Sequence, residues 1–532
     1  MKKFLKHIRH LISFDTSELP RRSTGVLVVG SGVAGLRAAI EAAGSAEVVL
    51  LTKDRITECN TNYAQGGIAA VLSDEDSIDA HVEDTLEAGA GLCDEGVVRY
   101  VLSEGPDRVR ELIDWGARFD RENGDLLFTQ EGGHSRPRIL HANGDATGYE
   151  IERVLIEKAR ETENLEILEH AFAVDILTES GRAVGVLAHC GGELRAFYAP
   201  SVIIAAGGAC HIYRETTNPF TATGDGIAMA FRAGATLSDL EFVQFHPTTL
   251  YVAGAERALI SETVRGEGGK LRDRFGVHFM SNYHPQGDLA PRDIVTRGII
   301  RQMAETGDTN VYLDLTHLDK DRILKRFPKL AQLCALFDID ISTDSIPVRP
   351  SAHYFCGGIR VEKDGATDLE GLYACGEAAD SGLHGANRLG SNSLLEGLVY
   401  GKGAGRAAAA SAAKVGEPHI KAEYPSGDGD ATIDIRDMEN SLRALMWRQV
   451  GIEREAASLS ESEQRIDFWS SYVLDKEFDS PSGWIIQNML TLCKLVTYSA
   501  RMRTESRGAH HRVDFPDRDD LNWSRHLIIK RR

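Results

Sequence analysis

The chain has 532 residues, 42% hydrophobic and 26% charged, which is long enough for about three domains and too apolar to stay disordered. Its 79 acidic side chains outnumber the 60 basic ones, and the net charge of -19 repels phosphate backbones, so no nucleic-acid partner is expected. A protein this acidic must gather arginines locally if it is to hold a small anionic substrate.

The opening MKKFLKHIRHLISF starts like a secretion signal with Lys2 and Lys3. Lys6, His7, Arg9 and His10 interrupt any apolar run, and no small-residue cleavage site follows. Residues 1–22 read as a basic N-terminal extension with one or two amphipathic turns. From Thr24, GVLVVG reads as a buried strand, SGVAG as a turn, LRAAIEAAG as a helix and EVVLLTK as a second strand. Residues 76–120 read as helices, and 121–150 as a long loop rich in Gly, Asn, His and Arg. Residues 151–205 read as helix and strand, closing in SVIIAAGG, and 206–250 are glycine-punctuated.

Residues 251–344 lack a nucleotide-domain signal but contain RGEGG and a helical run at 291–305, so they read as an insertion. The glycine-rich style returns at 345–412 and ends in the helical LLEGLVYGKGAGRAAAASAA. A Gly/Pro/Asp-rich linker at 415–432 leads to long amphipathic helices over 436–508. No run of about 18 apolar residues occurs, so no membrane span is expected. Eight cysteines without a C-x-x-C pair suggest reduced thiols in a cytoplasmic protein, with no metal site.

The clearest chemical signal is G-S-G-V-A-G at 30–35, between a strand and a helix. Gly30 permits the tight turn, Gly32 lets backbone approach a pyrophosphate, and Gly35 lets the helix pack close. The helix N-terminus attracts the phosphate charge. The second strand ends in Thr52-Lys53, where a ribose-binding acid would serve NAD. Lys53 is therefore expected over the adenosine or a phosphate.

The run Thr61-Asn62-Tyr63-Ala64-Gln65-Gly66-Gly67 resembles the flavin-cradling loop of the succinate dehydrogenase, fumarate reductase and L-aspartate oxidase family. TGDG at 223–226, QFHPT at 244–248, RGEGG at 265–269, PRDIV at 291–295, HYFCGG at 353–358, GLYACGE at 371–377 and HGANRLGSNSLLE at 384–396 follow in family order. The tail ESRGAHHRVDFP at 505–516 resembles the end of the family's C-terminal domain. The resemblance implies an α/β fold. A Rossmann-like FAD-binding domain would span 23–250 plus 345–412, with an inserted α+β capping domain at 251–344 and a C-terminal helical bundle domain at 430–532.

The same resemblance implies FAD contacts from Ser31, Val33, Ala34, Ala173 and Val174, and from Asp225 and Glu377 to ribityl or ribose hydroxyls. Ser393 and Leu394 would bring a helix N-terminus to the flavin. Some family members attach FAD through a histidine at the place of Asn60; an amide cannot form that bond, so non-covalent FAD is expected. This argues against succinate oxidation and leaves fumarate reduction or amino-acid oxidation open.

For the substrate, His246, Ser261, His353 and Arg388 match family positions that bind the two carboxylates of a C4 diacid, with Ser261 replacing the usual threonine. Arg292 matches a proton-transferring arginine, and Glu262 and Arg265 match a relay to solvent. Glu131, in Q-E-G-G-H-S, resembles only the aspartate oxidases within the family. A carboxylate there repels a plain diacid and attracts an α-ammonium group. The resemblance thus implies oxidation of L-aspartate to iminoaspartate, with oxygen or fumarate as acceptor, feeding quinolinate and NAD biosynthesis through a functional link to quinolinate synthase. A soluble fumarate reductase-type enzyme is the alternative. A flavoprotein subunit of a membrane complex is a third reading, against which Asn60 also speaks.

Overall fold

Short β-branched runs build the centre of the molecule. Val26–Val29, Val48–Leu51 and Ser201–Ile204 are buried at every position, the pattern of strands covered on both faces. They lie in a parallel sheet ordered Leu165–Leu168, Val48–Leu51, Val26–Val29, Ser201–Ile204 and Leu372–Ala374. The helix Val33–Ala43 follows the first strand and packs against Asn392–Ala410. These observations come from a computed structural model, which describes residues 8–253, 258–411, 416–425 and 433–531.

A second sheet is an antiparallel meander of Ala171–Glu179, Arg182–Cys190 and Glu193–Tyr198, edged in parallel by Arg21–Ser23. A third, antiparallel, runs Val243–Leu250, Ile346–Phe355, Val311–Asp314 and Lys270–Arg272. The helix Arg292–Thr306 packs on it over a separate core that includes Ile260, Val295, Ile299 and Leu313. Its strands Val243–Leu250 and Ile346–Phe355 carry the chain into and out of this region, so their residues stand at the junction with the nucleotide-binding body.

The helices Ile435–Gln449, Ala456–Val473 and Pro481–Met502 share the main core, with Leu442, Ile466 and Leu492 beside Phe172 and Met229. The tail then returns to the body. Fully buried Arg503 donates from Nε to Glu241 Oε1 at 2.6 Å and from Nη1 to Glu505 Oε1 at 3.0 Å, and Arg507 Nε donates to the same Glu505 oxygen at 2.7 Å. Ile528–Ile529 pairs antiparallel with Leu237–Ser238. Buried charges persist only when paired this way, and removing one partner strands the other.

Two segments differ from the sequence expectation. Residues 8–22 contain no helical turn: Leu11 and Ile12 are buried, Arg9 Nη2 donates to Ile176 O at 2.7 Å, Leu11 N donates to Asp175 Oδ2 at 2.7 Å, and Phe14–Asp15 pairs with Lys421–Ala422. The apolar positions dock on the meander, and the buried Asp175 ties the backbone to it at Leu11. Residues 1–7 of the extension and residues 415 and 426–432 of the linker lie outside the described residues.

The second departure is 121–150, which is not a plain loop. Phe128–Thr129 and Ile139–Leu140 join Ile68–Ala69 in a small sheet. Arg138 is fully buried, donating to Asp76 Oδ2 at 2.8 Å and to Asp84. Arg138 is satisfied by carboxylates from outside the segment instead of by water, which a composition reading cannot separate from solvation. No helix among the described residues is long and apolar enough to cross a membrane.

Candidate active site

A cleft enclosing about 1660 Å3, part of it open to solvent, runs from the carboxyl ends of the central strands to the junction with the third sheet. At one end lies the glycine turn. Gly30 has φ +113°, and a Cβ on it would stand 2.2 Å from Ala205 O; a Cβ on Gly35 would stand 2.0 Å from Gly30 O. Only glycine meets both demands. Gly30, Ser31, Gly32, Val33 and Ala34 line the cleft, and the two glycines leave backbone open at the start of a helix, which suits a pyrophosphate. Gly35 faces the strand instead of the cleft.

Lys53 reaches the wall already paired. Its Nζ donates to Asp225 Oδ2 at 2.7 Å and Thr223 Oγ1 at 2.8 Å, and Asp225 Oδ1 accepts from Asn488 Nδ2 at 2.8 Å. The lysine thus neutralises the carboxylate that the sequence assigned to sugar hydroxyls. Ala173 lines the cleft; Val174 is fully buried at a bulge, where its carbonyl accepts from Arg232 Nη2 at 2.9 Å.

In the middle of the cleft stands the helical turn Asn60–Tyr63. Asn60, Thr61, Tyr63, Ala64, Gln65, Gly66 and Gly67 line the wall; Asn62 does not, because successive side chains rotate by about 100° along a helix. Asn60 Nδ2 donates to Glu377 Oε2 at 2.9 Å and Asn218 Oδ1 at 3.1 Å, while its buried Oδ1 has no protein partner. Burial raises the Glu377 carboxyl above its ordinary range. The orphaned Asn60 acceptor and the Glu377 carboxyl both suit the hydroxyls and ring N–H groups of a flavin nucleotide. Ser393 and Leu394 line the cleft from the first turn of Asn392–Ala410, whose positive end faces in.

The far end holds two arginines. Arg388 Nε and Nη2 and Arg292 Nη1 all donate to Gln244 Oε1, at 3.3, 3.3 and 3.1 Å. Arg388 Cζ lies 4.2 Å from the Tyr354 ring centroid. Burial first, then the Arg292 charge, brings Arg388 down to about 10, so it stays charged near neutrality. His246 and His353 face each other with centroids 5.0 Å apart. Burial, then the nearby arginines, holds both well below the usual imidazole range, so each is neutral. His353 Nδ1 is hydrogen-bonded to Thr217 Oγ1 at 2.8 Å, and His246 Nδ1 accepts from Thr248 N at 3.2 Å.

Arg292, Glu262 and Arg265 are in contact. Arg292 Nε donates to Glu262 Oε2 at 2.7 Å, and Arg265 Nη2 donates to Glu262 Oε1 at 3.2 Å. Arg292 and Glu262 line the cleft, while Arg265 stands behind and also donates to Asp288 O. Gly132 makes room for this: a Cβ there would meet Glu262 Oε1 at 2.4 Å.

Glu131 is buried and does not line the cleft. Its Oε2 accepts from Ser391 Oγ at 2.7 Å and its Oε1 from Thr263 Oγ1 at 3.0 Å. Although burial alone would raise it, His141, Arg292 and the Ser391 hydroxyl hold the carboxyl below its ordinary range, so it is ionised. Thr263 spends its only proton on Glu131, so Ser261 Oγ, 3.0 Å away, must donate to Thr263. Ser261 and Ser391, both on the wall, are polarised toward one buried charge.

The sequence reading assigned no role to Gln244, Tyr354 or Ser391, although all three lie inside motifs it quoted. It also passed over Thr217 and Asn218, which sit in an unpatterned stretch and hold His353.

The family described as FAD binding domain matches residues 25–394, and the one described as fumarate reductase flavoprotein C-term matches 439–532. An L-aspartate oxidase of Streptomyces coelicolor is 44% identical, covering 95% of this chain and 91% of the relative. One from Pseudomonas aeruginosa is 41% identical, covering 92% and 95%. Among solved structures, an E. coli quinol fumarate reductase has TM-score 0.88 at 32% identity over 96% of this chain and 94% of that one. Mycobacterium smegmatis Sdh1 has TM-score 0.83 at 33% identity over 96% and 92%.

Proposed function

Because the chain belongs to the family of FAD-dependent L-aspartate oxidases, we propose that it oxidises L-aspartate to iminoaspartate, with oxygen or fumarate receiving the electrons. The observation that carries the reading is the buried Glu131 carboxylate behind a wall that otherwise presents two arginines. Two cations and neutral imidazoles suit two carboxylates; one anion suits an ammonium group.

In this reading Arg388, His353 and His246 hold the two carboxylates, and Glu131 favours the ammonium. Ser261, whose proton is committed to Thr263, adds to the acceptor side of the wall instead of holding a carboxylate as the sequence implied. Arg388 offers a planar fork matched to a carboxylate and is pre-set by Tyr354 and Gln244. The neutral histidines donate one N–H each without adding charge that would over-bind the product. FAD, when bound, supplies the hydride acceptor for the substrate Cα. Gly30 to Ala34, Lys53, the 60–67 turn, Ala173, Asp225, Glu377, Ser393 and Leu394 would hold it, and Asn60 leaves it without a covalent link. Arg292 exchanges a proton at the substrate, and Glu262 and Arg265 return it toward solvent.

Iminoaspartate would enter quinolinate and NAD biosynthesis, which links the enzyme functionally to quinolinate synthase. A cytoplasmic location fits eight cysteines that all stand free of disulfides. A second reading, fumarate reduction at the same site, is favoured by the assembled Arg292–Glu262–Arg265 relay, since carbon protonation needs such a donor.

Anaerobic addition of L-aspartate to the FAD-loaded protein is expected to bleach the yellow flavin band and release ammonia as the imine hydrolyses. A band untouched by L-aspartate but bleached by succinate would reverse the assignment.

A further inference from the structure

Glu131 does not reach the cleft, so its charge needs a carrier to act on anything bound there. Ser391 reaches both: it lines the cleft, and its Oγ donates to Glu131 Oε2 at 2.7 Å. A hydroxyl has one proton and two lone pairs. With the proton committed to an ionised carboxylate, lone pairs remain on the cleft side, made more negative by the charge behind them.

The backbone gives an independent reason. Ser391 has φ 63° and ψ 1°, the left-handed region that favours glycine. It is held there from every side. Arg138 Nη1 approaches His134 Nδ1 at 3.1 Å; a guanidinium can only donate, so His134 carries its proton on Nε2 and donates it to Gly390 O at 3.0 Å. Ala69 N donates to Ser391 O at 3.0 Å, and the Asn392 side chain bonds His81 Nε2 at 2.9 Å and Thr85 Oγ1 at 3.1 Å. Strain kept in place by this many partners marks a site where the side chain is needed. Across the gap, a Cβ on Gly66 would lie 3.9 Å from Ser391 Oγ and 3.8 Å from Glu131 Oε1, so the missing side chain leaves the hydroxyl uncovered.

We infer that Ser391 is a specificity-determining residue that presents the charge of Glu131 to the substrate ammonium group as a hydrogen-bond acceptor. The inference rests on the L-aspartate reading above. A dicarboxylate without an amine meets only lone pairs at this point and gains nothing from them.

The test is a double-mutant cycle of Ser391→Gly and Glu131→Gln in the full-length FAD-loaded protein, reading kcat/KM for L-aspartate and the inhibition constant of succinate. Ser391→Gly relaxes the backbone while deleting the hydroxyl; Ser391→Ala deletes the hydroxyl and keeps the strain. Each single substitution is expected to lower kcat/KM for L-aspartate by about 10–100-fold, mainly through KM, while succinate binds as well or better. The double variant should lie within about twofold of Glu131→Gln, because one path has been cut twice.

Ser391→Gly within about threefold of wild type, alongside an impaired Glu131→Gln, would overturn the carrier role, as would multiplying losses in the double variant. Loss in Ser391→Ala without loss in Ser391→Gly would assign the effect to backbone strain. Parallel weakening of L-aspartate and succinate would assign it to packing. A wild-type enzyme inert toward L-aspartate would sink the functional reading itself.

Discussion

Arg292→Leu is expected to lower fumarate reduction by about 10²–10⁴-fold, the usual worth of a positioned proton donor. In the proposed relay, Arg292 is the member that both lines the cleft and bonds Glu262, and leucine can neither donate nor exchange a proton. A free arginine is a poor acid, since its pKa exceeds about 12. Here Glu262 bridges Arg292 and Arg265, so a proton lost at the cleft can be replaced from behind. L-Aspartate oxidation should suffer less, because an ammonium proton can also leave to water. The assay is fumarate-dependent turnover with an artificial reductant. Survival within about tenfold, a loss below about 1.4 kcal/mol, would remove Arg292 from the proton path.

Gly30→Val is expected to yield protein without FAD. The φ of +113° strains any L side chain, and the new Cβ would lie 2.2 Å from Ala205 O just past the neighbouring strand. Relieving that collision moves the turn away from the helix start that the phosphate needs. Acid precipitation reads the outcome: wild type should give a colourless pellet and a yellow supernatant, because Asn60 cannot bond to the ring. The variant should release almost no flavin. A full complement of FAD in Gly30→Val would mean that the turn does not hold the cofactor.

Much of this was legible because backbone geometry dictates residue type. Gly30 and Gly35 are glycine for contacts a Cβ would violate, so G-S-G-V-A-G between apolar runs marks the strand, turn and helix. Motif order placed His246, His353 and Arg388 in one cleft although more than 140 residues separate the first and last.

Pairing among polar side chains was not legible. Lys53 reads as a free cation until Asp225 is found 2.7 Å away, and Glu131 reads as a wall residue until Ser391 and Thr263 stand in front of it. Arg138 sits in a stretch whose composition suggests solvent, yet it is fully buried between Asp76 and Asp84. Composition records which polar groups are present, whereas burial depends on whether distant ones meet. Arg138 and Asp76 lie 62 positions apart.

The cleft as proposed selects a dicarboxylate carrying an ammonium group. Steady-state turnover of L-aspartate and of succinate by the same purified FAD-loaded protein, each with oxygen or an artificial dye as acceptor, tests it most directly. L-Aspartate oxidation is expected with one ammonia released per two electrons transferred, and no measurable succinate oxidation. Succinate oxidised with a kcat/KM equal to or above that of L-aspartate would contradict it.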